Sequence, residues 1–314
     1  MRSIYSFLNK KIKKKIFFFD NLDTQISKKN IATLNIIISK SGNTLETIVN
    51  TNLLLKSKNQ NLFITENKNS FLKNLSNKLK SISIDHNDKI GGRYSVMSEV
   101  GMLPSLLIGL NIDKFKVLEK IKKNKRFIHA IIKNSLQIVN YLKIKKNNSV
   151  ILNYDELSSD LFYWYQQLAA ESLGKKSKGV FPIISMMPKD NHSLMQYYLD
   201  GVKKNFFTFF IVNDEKPKKI DSKYLFGKKN YLKNKKILDI KKSQLLATQN
   251  IFSKKKIPFR SLIIHNRNEE ALGELFLFFM METILIGKIL GIDPYNQPAV
   301  ELIKLETKKI LLKS

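Results

Sequence analysis

The chain contains no cysteine. Disulfides, thiol nucleophiles and thiolate metal sites are excluded, which fits a cytoplasmic enzyme. Only four histidines are present, and no two stand at metal-ligand spacing; no metal is expected. Acidic residues are few, 26 against 55 Lys and Arg, for a formal charge of +29. The lysines are spread along the whole chain, as in 121–126, with no arginine-rich face and no aromatic repeat for stacking bases. Nucleic acid is therefore not the expected partner, although a positive field helps collect an anionic ligand. Long apolar runs are also missing. Residues 95–112 carry Glu99 and Pro104, and residues 275–290 carry Glu282 and Lys288. Both read as buried core helices rather than membrane spans. The basic start is not followed by an apolar segment with a small-residue cleavage site, so no signal peptide is expected.

What is present is enough for two domains: 314 residues, 43% hydrophobic. Residues 34–39 read as a strand buried on both faces, with 15–19 and 61–65 as further strands. Helices are expected at 44–55 and 71–79. A lysine-rich helical stretch, 114–147, leads to a second block: strand 149–153, helix 157–173, strand 206–212, a polar excursion at 214–236, helix 241–252, strand 258–265, and helices 268–291 and 298–312. Strand–helix alternation of this kind gives parallel, doubly wound sheets. The division is placed at 1–113 and 114–314.

Several segments carry chemistry. Ser39-Lys40-Ser41-Gly42-Asn43-Thr44 follows a strand and opens a helix. The helix N-terminus supplies free N–H groups and partial positive charge, and the hydroxyls add donors, so the turn suits a phosphate. Plain N-capping by Ser41 or Thr44 accounts for the same residues. Gly91-Gly92-Arg93-Tyr94-Ser95 lets backbone approach a ligand and brings a cation that can balance a developing oxyanion; a turn with a surface arginine is the simpler reading. Glu171 lies near the end of a helix that Gly174 caps, where a carboxylate feels an unfavourable dipole that suits a general base; taken alone it reads as an exposed glutamate. His192, in Asp190-Asn191-His192-Ser193, precedes a short helix. Gln297, Glu301 and Lys304 share one face of the last helix, which Pro298 opens.

Taken in order, Ser-Lys-Ser-Gly-Asn-Thr-Leu-Glu-Thr, Gly-Gly-Arg-Tyr-Ser, Gln-Leu-Ala-Ala-Glu-Ser-Leu-Gly-Lys, His-Ser and Gln-Pro-Ala-Val-Glu-Leu-Ile-Lys closely resemble the glucose-6-phosphate isomerase family, bacterial type, over roughly residues 4–311. The resemblance implies two sugar-isomerase (SIS) domains, each a flavodoxin-like parallel sheet flanked by helices, and a C-terminal helical arm. It implies that Ser39, Ser41 and Thr44 hold a phosphate with backbone help at Lys40. Glu171 would move a proton between C1 and C2 of the sugar through a cis-enediolate, and Arg93 would stabilise its charge. His192 and Lys304 would assist ring opening, and Gln167 and Gln297 would line the pocket. No cofactor is implied. A homodimer is, with His192 donated across the interface. Leu173, Ala299 and Ile303 depart from common family residues.

The family's Gly-Ile-Gly-Gly-Ser-type turn is not found ahead of residues 1–8, which look like the helix that follows it. The first domain is therefore expected to be incomplete at its N-terminus, leaving strands 15–19 and 34–38 short of a partner. The rival expectation is a non-catalytic or inactive sugar-phosphate-binding SIS protein. Action on mannose 6-phosphate as well is not decided by the sequence.

Overall fold

A computed structural model describes residues 1–22, 34–55, 60–214 and 218–313. In chain order the elements are α1 (Arg2–Phe7), β1 (Leu34–Ile38), α2 (Leu45–Leu54), β2 (Gln60–Glu66), α3 (Phe71–Lys78) and β3 (Ile82–His86). A connecting layer follows, α4 (Glu99–Leu107), α5 (Leu118–Lys123) and α6 (Lys125–Lys143). The remainder is β4 (Asn148–Asn153), α7 (Ser159–Leu173), β5 (Phe181–Met186), α8 (Met195–Asp200), β6 (Asn205–Val212), α9 (Ile237–Lys254), β7 (Phe259–Ile264), α10 (Glu269–Leu290) and α11 (Pro298–Leu311).

The strands form two all-parallel sheets, β1-β2-β3 and β5-β4-β6-β7. This is the α/β arrangement expected of SIS domains. Every residue of β6 is buried, as a central parallel strand covered on both faces requires. Phe210 of β6 packs edge-on against Phe162 of α7, which in turn meets Phe279 of α10. Ile4 and Phe7 of α1 join this same core beside Leu161 and Phe276. The first helix thus packs against the second sheet's helical layer. Glu282, within α10, is buried and receives a bond from Arg260 Nη2 at 3.1 Å. Among the described residues no helix is long and apolar enough to cross a membrane.

Four expectations change. β1, expected to be buried on both faces, is a sheet edge in which Leu34 is exposed and only Ile37 is buried. Residues 15–19 are not a strand but irregular chain: Phe17 and Phe19 stay about half exposed, and Phe18 stacks edge-on against Tyr5 of α1. The side chain of Asn50 in α2 holds this segment by donating to the carbonyls of Phe19 and Asn21. β3 and β5 are strands that the pattern did not mark, and both are sheet edges. β5 carries Pro182, a residue tolerated at an edge because that side needs no donor. The polar excursion contains short 3-10 turns at Ser222–Tyr224 and Gly227–Leu232, while 215–217 lie outside the described residues.

Candidate active site

Arg93 is the centre of the site. It lies on a 3-10 turn, Gly92–Met97, after β3, and only 3% of it is exposed. A guanidinium has five N–H groups, and all five find acceptors. Nε donates to Ser172 Oγ at 2.8 Å; Nη1 donates to Gln297 Oε1 at 2.6 Å and Glu171 Oε2 at 3.2 Å. Nη2 donates to the carbonyls of Pro294 at 2.7 Å and Asn296 at 3.1 Å. One buried cation thereby gathers the end of α7 and the link between α10 and α11. The indole of Trp164 donates to the Arg93 carbonyl at 3.0 Å and fixes the turn from the other side.

Glu171 is held from both oxygens. Gln167, one helical turn earlier, donates to Oε1 at 2.9 Å, and Arg93 takes Oε2. The Glu171 side chain keeps about 29% of its surface open, so it is oriented yet not sealed off. Tyr94 donates to the Pro294 carbonyl at 3.1 Å and lies 3.0 Å from Ser172 Oγ. Burial pushes its phenol up against the opposing pull of Ser172 and Arg93. Lys175 stands on the same side, and its ammonium is held down by burial and by repulsion from Arg93.

The hydroxyl-rich turn sits at the carboxyl end of β1. Ser39 and Thr44 share a hydrogen bond of 2.8 Å, so the Thr44 hydroxyl does not cap α2 and the helix starts without a side-chain cap. Gly42 has φ +67°, and a Cβ there would fall 2.2 Å from Ser70 Oγ. The turn is open because its glycine tucks under Ser70. Lys40 Nζ donates to the Asp88 carbonyl at 2.8 Å, tying this turn to the loop that delivers Arg93.

His192 and Lys304 stand apart. His192 is exposed after β5, with only its backbone bonded, to Lys189. The chain enters β5 on leaving the Glu171 end of α7 and reaches His192 after leaving it, so about 20 Å of strand lies between them. Lys304, on α11, pairs with Glu301 at 2.6 Å in solvent. One copy of the chain thus brings together Arg93, Glu171, Gln167 and Gln297, but not His192 or Lys304. Among the described residues no cluster could hold a metal.

The model of the phosphoglucose isomerase family matches residues 5–185. Glucose-6-phosphate isomerase of Methanocaldococcus jannaschii is 34% identical, over 94% of this chain and 76% of that protein. The chain belongs to the phosphoglucose isomerase family. A probable glucose-6-phosphate isomerase of Methanococcus maripaludis is 31% identical over 91% of this chain and 69% of its own length. Two solved structures share the fold. A hypothetical protein from Thermus thermophilus has TM-score 0.86 at 21% identity, covering 98% of this chain and 80% of its own. A glucose-6-phosphate isomerase from Chlamydia trachomatis has TM-score 0.72 at 19% identity, covering 99% and 66%.

Within this candidate site of a phosphoglucose isomerase family member, the sequence alone assigned no role to Ser172, Tyr94 or Trp164. The first two sit inside the motifs already quoted, and adjacency to Glu171 and Arg93 was the available signal. Trp164, the chain's one tryptophan, lies two turns ahead of Glu171 on α7 and carries no such mark. The backbone carbonyls at 294 and 296 are invisible to residue-type reasoning altogether.

Proposed function

We propose that this protein interconverts glucose 6-phosphate and fructose 6-phosphate, as a homodimer. The observation that carries the proposal is the carboxylate of Glu171, held by Gln167 and Arg93 yet open to solvent on one side. A base so fixed meets the geometric demand of proton transfer between adjacent carbons. Glu171 takes the proton from C2 of the open-chain aldose and returns it to C1; the electron pair passes through an enediolate, and the O2 hydroxyl proton ends on O1, leaving C2 as the ketone. Arg93 has no N–H to spare. The Nη1 hydrogen now shared with Glu171 is the weakest of its bonds by length, and it is the one a substrate oxygen would take over as negative charge develops.

The Ser39–Thr44 turn takes the phosphate. Its support is the uncapped start of α2, the paired hydroxyls of Ser39 and Thr44, and Ser41 beside them. Lys40 holds that turn to the loop bearing Arg93, which sets phosphate and base into one frame. His192 and Lys304 assist ring opening, with His192 arriving from a second copy. Gln297 closes the pocket over Arg93.

The test is a coupled assay of fructose 6-phosphate turnover with the full chain and with Glu171→Gln. The wild type turns over, and the variant loses about 10³-fold in kcat, within the range of a general base, while still binding a sugar phosphate. A Glu171→Gln variant of undiminished kcat removes Glu171 as the base. Binding without turnover in the wild type would instead favour a sugar-phosphate-binding role.

A further inference from the structure

His86 is the last residue of β3 and its side chain is 1% exposed. Both ring nitrogens face oxygen. Nδ1 contacts the Glu99 carboxylate, and Nε2 lies 3.1 Å from the Ile90 carbonyl. The ring thus bridges the two oxygens, one through each nitrogen. Ile90 comes three residues before Arg93 and Glu99 six after, at the first turn of α4. The ring therefore joins the two ends of the segment that carries the arginine. Between them lie Gly91 and Gly92, and around Gly92 a Cβ would meet nothing within 4 Å. No neighbouring atom crowds Gly92; Trp164 holds the middle of the turn through the Arg93 carbonyl, Ser95 Oγ donates to the Gly92 carbonyl at 2.7 Å, and His86 bridges the two ends.

We propose that His86 and Glu99 act as a positioning pair for Arg93, clamping the Gly91-Gly92 turn so that the guanidinium stays registered on Glu171. The proposal deepens the isomerase reading and rests on it for its kinetic arm. The other charged groups here already have partners or face the polar cleft beside the ring. Glu66 of β2, opposite His86 in register, is paired with Lys68 and Lys40. Asp85 is paired with Lys73 of α3 at 2.7 Å. Asp88 and Lys89 line the cleft with Asn67 and Asn87, in a volume near 570 Å³. Glu99 is the one carboxylate in contact with the ring.

The experiment compares His86→Phe, Glu99→Ala, Glu99→Gln and the His86→Phe/Glu99→Ala double variant in fructose 6-phosphate turnover and in amide hydrogen exchange of the wild-type-length chain. Asp85→Asn serves as the neighbouring control. A positioning role lowers kcat about 10-fold in His86→Phe and Glu99→Ala, with KM within about twofold, since sub-ångström misplacement acts on chemistry more than on binding. Glu99→Gln keeps the shape and loses the charge, so its loss is smaller, about threefold. The double variant is no worse than the poorer single one, because the two residues work as a unit. Exchange in the 87–97 peptide rises about 10-fold while the β6 peptide is unchanged. Should His86→Phe fail to fold, the two Glu99 variants carry the same comparison. Unchanged kcat, additive losses or unchanged exchange at 87–97 each overturn the clamp. If the wild type itself lacks turnover, the isomerase reading fails, and the exchange result still decides the clamp.

Discussion

At the scale of single residues the site is organised by the saturation of one buried cation. Five donors of Arg93 meet five acceptors drawn from α7, the 294–297 link and Glu171. Lysine is not a conservative replacement in such a setting, since its three donors radiate from a point and cannot reproduce a planar fork. Arg93→Lys leaves the carbonyls of Pro294 and Asn296 or the Ser172 hydroxyl without a donor. Breaking a buried charged network by removing one partner costs about 3 kcal/mol. The expected result is a loss of that order in urea unfolding, together with a fall in kcat of about 100-fold or more, the magnitude attached to a lost oxyanion donor. Ser172→Ala removes one acceptor only and falls well short of this on both measures. An Arg93→Lys enzyme with full activity would show that the guanidinium geometry has no part in the chemistry.

At the scale of elements, the hydroxyl-rich turn between β1 and α2 is shaped by Gly42. Its φ of +67° costs an L-residue roughly 1–2 kcal/mol, and a Cβ 2.2 Å from Ser70 Oγ also displaces the cap of α3. Gly42→Ala is therefore expected to raise KM for the sugar phosphate about 10-fold with a modest drop in melting temperature, checked by steady-state kinetics and a thermal scan. A KM unchanged in this variant would take the phosphate away from the turn. The position of this turn was legible in the sequence because a largely apolar run ended in Ser, Gly and Thr. So were β6, whose Phe-Phe-Thr-Phe-Phe-Ile-Val run admits no exposed face, and α10, whose Asn268 caps the start and whose Gly291 takes the left-handed C-cap. Of the four edge strands, β1 and β7 were legible too, but β3 and β5 were not. β3 alternates apolar and polar residues over five positions, and β5 begins with Phe-Pro; neither buries enough surface to announce itself. Residues 15–19 fail for the opposite reason. Four consecutive apolar or aromatic residues imitate a core strand, yet they are used as a loose cover over α1. Arg93, Glu171, Gln167 and Gln297, which meet in one place, were readable through motif order, whereas the carbonyl half of the Arg93 cage depends on how a link folds back in space.

At the scale of the whole molecule, two observations bear on the proposed second copy. α11 has no buried residue, and Leu302, Ile303 and Leu312 are each more than two-thirds exposed. The helix is amphipathic, and exposed apolar side chains of this kind are what the proposed dimer would cover. His192 stands at the far end of β5 from Glu171, with about 20 Å of strand between them. If both serve one reaction, the histidine must come from another chain, and a two-fold arrangement returns the favour, since each copy then supplies its own His192 to its neighbour. The arrangement makes a quantitative prediction for mixed variants. Glu171→Gln and His192→Ala are each nearly inactive alone. Unfolded together in equal amounts and refolded, they form mixed dimers in half of the population. Each mixed dimer holds one site with both mutations and one with neither. Turnover therefore recovers to about a quarter of the wild type, by simple counting over a two-fold dimer. Sedimentation of the refolded mixture checks that a dimer has formed. A dimer that recovers no activity on mixing would place His192 and Glu171 in separate functions, and the ring-opening role would then have to be sought among residues of the same chain.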